Sequence, residues 1–365
     1  GEQYSNSKCS PELVGELLSS TVIKLAKTFL EGAEKLVDKA VTVDELSNKF
    51  QQDGELFFGG LDVFNGGLDA MIGPPQPKIM EAMKGEHCSF GPESKKIFTT
   101  GNYSIETRSD WEWWFVVDPD NGLDYCGLEM WPAEPHLSMR KQRRPVSLHS
   151  FDTSVAEVTA QLRQMATSGM IQAELIGARL YTGPMFQKYN TVMRGAGPDN
   201  PPFFQNMFRN LCEGNKYTTT IWVINSAIVK LSKLTVAEKV YRGVSGRGLP
   251  SAMRKEKGEI AGGVDVAFLS TTRDRDVAMH YAGSMRKDAF GLVFEIQQGL
   301  VDRGADLSWL SQYPYEREIL FPPLTALEVV STRVDGKVQM VEIRATVNQK
   351  AQTIEQVIAK MQHAQ

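Results

Sequence analysis

Three short segments constrain this chain more than anything else in it: Tyr241-Arg242-Gly243, then Phe268-Leu269-Ser270-Thr271-Thr272, then Tyr315-Glu316-Arg317-Glu318 running into Ile319-Leu320-Phe321-Pro322-Pro323. β-Branched and aromatic runs punctuated by Gly and Pro read as strands. If Glu316 enters a strand, the period of two turns both carboxylates to one face with Arg317 opposite, about 7 Å apart. An isolated acidic pair of this kind is ordinarily a solvated strand face. A cation, a short hydroxyl and two carboxylates in fixed order on strand-like segments point instead to one active site.

The chain has 365 residues, enough for two domains that each bury a core. With 42% hydrophobic and 23% charged residues it falls in the range of folded globular proteins. A formal net charge of -4 argues against a surface built to neutralise phosphates, so no nucleic-acid partner is expected. Cys9, Cys88, Cys126 and Cys212 are scattered, and His87, His136, His149, His280 and His363 form no HExxH or similar pattern. Neither a disulfide framework nor a bound metal is expected. No apolar run reaches the roughly 18 residues of a membrane span, and the polar first residues lack the regions of a signal peptide. A cytoplasmic location is the favoured expectation, with secretion left open because the chain does not begin with Met.

Five stretches are expected. In residues 1–55, Ser10 and Pro11 open a helix whose Leu13, Leu17, Val22, Leu25 and Phe29 form one apolar stripe, and Thr42 to Glu45 reads as a capping box. Residues 56–140 read as a small, separate α+β domain, with Trp111 to Val117 as a strand and Asp118 to Gly122 as a turn. The basic run Arg140 to Arg144 marks a solvated linker at 141–150. Residues 151–345 form the second domain, with helices over Val155 to Met170 and Thr218 to Leu231, and 346–365 a closing amphipathic helix.

The three segments together resemble the mono-ADP-ribosyltransferases of the Arg-Ser-Glu class, in particular the arginine-specific members with their Glu-x-Glu motif. Leu180 to Asn190 is similar to the early helical region of that family, which packs under the NAD site. The resemblance implies an α+β fold in which two small β-sheets enclose an NAD cleft flanked by helices. It also implies transfer of ADP-ribose from NAD to an exposed arginine of a protein acceptor, with NAD as co-substrate and no metal. By the family pattern, Glu318 stabilises the charge developing on the nicotinamide ribose, and Glu316 holds and deprotonates the acceptor guanidinium. Arg242 takes the diphosphate, with Tyr241 and Gly243 beside it; Ser270, Thr271 and Thr272 orient the carboxylate and touch the ribose.

Thr272 departs from the family's usual Ser-Thr-Ser, and either it or Asp274 caps the helix starting at Arg275. In the loop before Glu316, Tyr313 and Tyr315 recognise the acceptor if exposed and anchor the loop if buried, while Trp309 is expected to anchor. Two alternatives stand beside arginine transfer: hydrolysis of NAD with water as acceptor, and a binding protein that keeps the fold without turnover. Because every chemical motif lies beyond residue 150, a fragment beginning near Ser147 is expected to cleave NAD.

Overall fold

The computed structural model describes residues 56–91, 95–97, 107–123, 143, 145–197, 200–250, 253–254, 261–283, 291–348 and 350–363. The helix and capping box expected within residues 1–55 lie outside these. In chain order the elements begin with α1 (Leu61–Ile72), α2 (Ile79–Cys88), a ribbon of two-residue strands β1 (Lys96–Ile97) and β2 (Thr107–Arg108), and α3 (Ser109–Val117). Helices α4 (Asp152–Gln164), α5 (Gln172–Leu180), α6 (Phe186–Gly195), α7 (Pro202–Cys212) and α8 (Thr218–Leu231) follow. The remainder is β3 (Lys239–Ser245), β4 (Gly262–Asp265), β5 (Leu269–Thr272), α9 (Arg275–Tyr281), β6 (Gly291–Gln297), β7 (Ala305–Asp306), β8 (Glu318–Phe321), β9 (Thr325–Asp335), β10 (Val338–Thr346) and α10 (Ile354–His363).

The fold is α+β, and its sheet runs β4-β9-β10-β6-β3-β5-β8-β7. All neighbours are antiparallel except β10 and β6, so the sheet is mixed. The expected two sheets exist as two parts of this one. Strand β3 pairs with β6 over its whole length but with β5 only at Tyr241 opposite Thr272. At that single pair the five strands ending in β3 diverge from the three starting at β5, which opens a cleft between them.

Helix α8 is buried on almost every side, from Thr219 through Ile228, and so forms the centre of the helical layer. Its N-terminus is satisfied from a distance: the Glu86 carboxylate on α2 accepts hydrogen bonds from the Thr219 and Thr220 amides at 2.7 and 3.0 Å and from the Thr220 hydroxyl at 2.6 Å. An anion at the positive end of a helix is favourable, and no local residue supplies one here.

Three sequence expectations need correction. Trp111 to Val117 belongs to helix α3, whose buried Glu112, Trp113, Phe115 and Val116 fall on one face at helical spacing. Aromatic enrichment misled the strand reading. Arg143 of the basic run is not solvated; it is 2% exposed and paired with Glu112. Nor do the described residues of the expected 56–140 domain pack on their own: Leu68, Ile72, Met83, Trp113, Phe115 and Val116 share one core with Leu175, Ile176, Ile224 and Phe268.

A fragment beginning at Ser147 is therefore expected to lose cooperative folding. It would lack Trp113 and Phe115, each worth roughly 3–5 kcal/mol by truncation, and the Glu86 cap of α8. Soluble yield and a thermal unfolding curve measure this. A fragment that melts cooperatively within a few degrees of the full chain would show that the shared core is dispensable.

Candidate active site

The cleft at the β3–β5 junction holds a cavity of about 260 Å³. Its lining includes Tyr241, Arg242, Gly243, Ser270, Thr271, Thr272, Glu316 and Glu318, with Tyr181, Asn190 and Tyr281 across from them. The sequence set is thus brought together by strands β3, β5 and β8, adjacent in the sheet although distant in the chain.

Two hydrogen bonds chain the central three. Arg242 Nη1 donates to the Ser270 carbonyl at 3.0 Å, and Ser270 Oγ donates to Glu318 Oε1 at 2.6 Å. Glu318 is buried, and burial pushes its carboxyl up to about 8; repulsion from Glu316 acts in the same direction, while the Ser270 hydrogen bond and Arg242 oppose it. Burial likewise lowers the Arg242 guanidinium below its ordinary value, with Arg194 adding to that effect and Asp265 opposing it.

Glu316 does not stand on the strand. Pro314–Glu316 is a single 3₁₀ turn, Arg317 takes the left-handed conformation at φ 48°, and β8 begins at Glu318. The carboxylates share a cavity through this turn rather than through a strand's period of two. Tyr281 donates to Glu316 Oε1 at 2.5 Å, and Thr272 Oγ1 donates to the Glu316 carbonyl at 2.6 Å. Thr272 thereby fixes the turn, while Thr271, buried, donates to the Ile319 carbonyl at 2.6 Å and ties β5 to β8. Asp274 caps α9, accepting from the Asp276 amide at 2.9 Å.

β4 and β5, close in the chain, lie at different places in the sheet, β4 against β9 and β5 between β3 and β8. Arg242 sits in mid-strand on β3. Gly243 lines the cavity and also serves packing: a Cβ there would meet the Ala278 carbonyl oxygen at 1.8 Å, so α9 rests directly on β3. Gly243→Ala is expected to push α9 away, with loss of roughly 1–3 kcal/mol of stability and of the Tyr281–Glu316 contact. An unchanged melting temperature with normal turnover would refute this.

Tyr313 is 3% exposed and makes an edge contact with half-buried Tyr315 at 6.2 Å between centroids. Tyr313 therefore anchors the loop and faces no acceptor, a correction of its expected recognition role. Trp309 anchors as expected, edge-on to Phe151 and against the core.

Sequence reading missed the far side of Arg242. A second cavity of about 260 Å³ lies there, lined by Phe57, Phe58, Phe204 and Arg194 as well as Arg242. Arg194 donates to Asp265 Oδ1 at 3.3 Å across 71 residues of chain, a pairing with no local signal. Two cavities that share one arginine fit a molecule with two ring-bearing arms joined by a diphosphate. Among the described residues, no His, Cys, Asp and Glu cluster could hold a metal, and no helix is long and apolar enough to cross a membrane.

The cleft thus holds a buried carboxylate bonded to a serine, beside an arginine, at the split of a mixed sheet. The chain belongs to the NAD:arginine ADP-ribosyltransferase family, whose sequence model matches residues 136–351. Its activity is mono-ADP-ribosyl transfer with NAD as co-substrate. No curated protein matches it. Among solved structures it is similar to Vis toxin, an ADP-ribosyltransferase from Vibrio splendidus, at 16% identity over 55% of this chain and 88% of that one, TM-score 0.37. It is also similar to the ADP-ribosyltransferase HopU1 of Pseudomonas syringae pv. tomato, at 15% identity over 75% and 99%, TM-score 0.41. A third is the eukaryotic mono-ADP-ribosyltransferase ART2.2, at 15% identity over 56% and 82%, TM-score 0.32. Family membership rests on the sequence match alone.

Proposed function

We propose that this protein moves ADP-ribose from NAD to arginine side chains of a protein acceptor, releasing nicotinamide. The observation that carries this is the second carboxylate: Glu316 lies in the cavity of Glu318 but is bonded to Tyr281 and only half-buried, where Glu318 is buried. Two carboxylates held by different partners suit two tasks.

Bound NAD supplies the ADP-ribosyl group: the bond from ribose C1 to nicotinamide breaks, and its electron pair leaves with nicotinamide. Glu318, aimed by Ser270, stabilises the positive charge that grows at that carbon. Arg242, which lines both cavities, holds the diphosphate, with the purine arm on the side of Phe57 and Phe204. Tyr181 and Phe186 wall the nicotinamide side and exclude water. Glu316 pairs with the acceptor guanidinium, takes one of its protons as the nitrogen bonds to C1, and returns it to solvent.

Incubation with NAD and agmatine, the smallest guanidine acceptor of this kind, tests the reading. ADP-ribosyl-agmatine by mass spectrometry is expected, and with a protein acceptor the mass should localise to arginine. Free ADP-ribose alone, or modification at another side chain, would overturn the arginine assignment.

A further inference from the structure

Gln312 lies four residues before Glu316 in the loop between β7 and β8, and it is 6% exposed. Its side chain bridges two parts of the molecule. Gln312 Oε1 accepts from Arg143 Nη1 at 2.8 Å, and Nε2 donates to the Arg179 carbonyl at 2.8 Å. Its amide donates to Thr182 Oγ1 at 3.0 Å, and Thr182 lines the active cavity. Space for the Gln312 side-chain amide is built in: a Cβ on Gly183 would stand 2.3 Å from Gln312 Nε2. Arg143 is itself fixed as a fork on Glu112, at 2.6 and 2.9 Å, over the Phe115 ring at 4.3 Å. Glu112 is fully buried on α3, ahead of the region that the family match covers.

We propose that Gln312, held by the Glu112–Arg143 pair, is a positioning residue for Glu316, so that the segment before residue 136 sets the acceptor side of the active site. The physical reason is rigidity. The turn that presents Glu316 is closed by two backbone bonds, Glu316 to Tyr313 at 3.0 Å and Arg317 to Pro314 at 3.2 Å. Thr272 and Tyr281 hold the turn from the side of the cavity, and Gln312, bonded to Arg143 and Arg179, fixes the chain that enters it. Glu318, by contrast, is held within the sheet by β5 and β7 and by Ser270. Loosening Gln312 therefore leaves Glu316 held from one side only, by Thr272 and Tyr281, while Glu318 stays in place.

This inference rests on the arginine reading for its chemical consequence, and the test has an arm that does not. Gln312→Met keeps the volume and removes both side-chain hydrogen bonds. A second variant, Glu112→Met with Arg143→Met, replaces the buried pair by apolar groups, a change that is often neutral for stability, and removes the Arg143 bond to Gln312. For each, agmatine transfer and NAD hydrolysis are measured on one preparation, and amide hydrogen exchange is followed at residues 316 and 317. Expected are a ratio of transfer to hydrolysis about tenfold below the parent's, a raised KM for agmatine with that for NAD unchanged, and exchange at least about tenfold faster. Unchanged exchange in the folded protein overturns the proposal whatever the acceptor. Faster exchange with an unchanged ratio, or both activities falling together, overturns it equally. If the parent does not modify agmatine, the arginine reading fails on its own, and exchange still decides whether Gln312 holds the turn. If Gln312→Met does not fold, the double variant gives the answer.

Discussion

Glu318→Gln is expected to remove NAD cleavage and transfer together, by on the order of 100 to 1,000-fold. The amide keeps the shape and can accept from Ser270, yet carries no charge to set against the one that grows at the ribose carbon. Cleavage is common to both outcomes, so neither survives. Because burial pushes the Glu318 carboxyl up to about 8, the free protein at lower pH holds it protonated. The kcat/KM for NAD should then climb with pH, about tenfold per unit, and level off above about 8. Bound NAD brings a cationic nicotinamide beside the carboxylate, so the corresponding limb of kcat should lie at lower pH. A flat kcat/KM profile, or a Gln variant within a few-fold of the parent, would remove Glu318 from this role.

The same shift has a consequence for stability, opposite in sign to that of a salt-bridged acid. Glu318 has a folded value raised above the ordinary 4.5, so the unfolded chain ionises first as pH rises. Stability contributed by the neutral carboxyl is complete below about 4.5 and is lost as pH climbs through about 8, on the order of 3–5 kcal/mol in all. Glu318→Gln escapes that loss. Its melting temperature should match the parent's in mild acid and exceed it increasingly toward alkaline pH, as scanning calorimetry at several pH values would show.

Glu316→Gln should separate what Glu318→Gln removes together. A guanidinium remains protonated at any working pH and is a poor nucleophile until a carboxylate pairs with it and takes a proton. Gln accepts hydrogen bonds but cannot do the second. Transfer to agmatine is expected to fall at least about 100-fold, while most NAD hydrolysis persists, since Arg242, Ser270 and Glu318 are untouched. Tyr281 can still donate to the Gln oxygen, so the turn should keep its place. A parallel fall of both activities would put Glu316 in the cleavage step; no fall in either would mean that the acceptor is not arginine.

That Arg242, Ser270 and Glu318 would lie together was legible because they stand on three strand-like segments, and they do meet through two hydrogen bonds. Helix α8 was equally plain, for its apolar residues recur at helical spacing over Thr218–Leu231. The sequence alone also determined the family, through the match over 136–351.

Tertiary structure decided what depends on partners far apart in the chain. Glu316 left the strand because Pro314 favours a turn and the chain then bends through a left-handed Arg317, and it still reached the cavity because Tyr281 and Thr272 hold it there. Arg143 looked like a solvated charge and became a buried one, since Glu112 lies 31 residues away and the helix that brings it was read as a strand. Gly243, which lines the cavity, is also the seat of α9. In each case local pattern reports which face a residue prefers, but a charge, a hydroxyl or a missing Cβ takes its role from whatever the fold packs against it, and that is set only when the whole core closes.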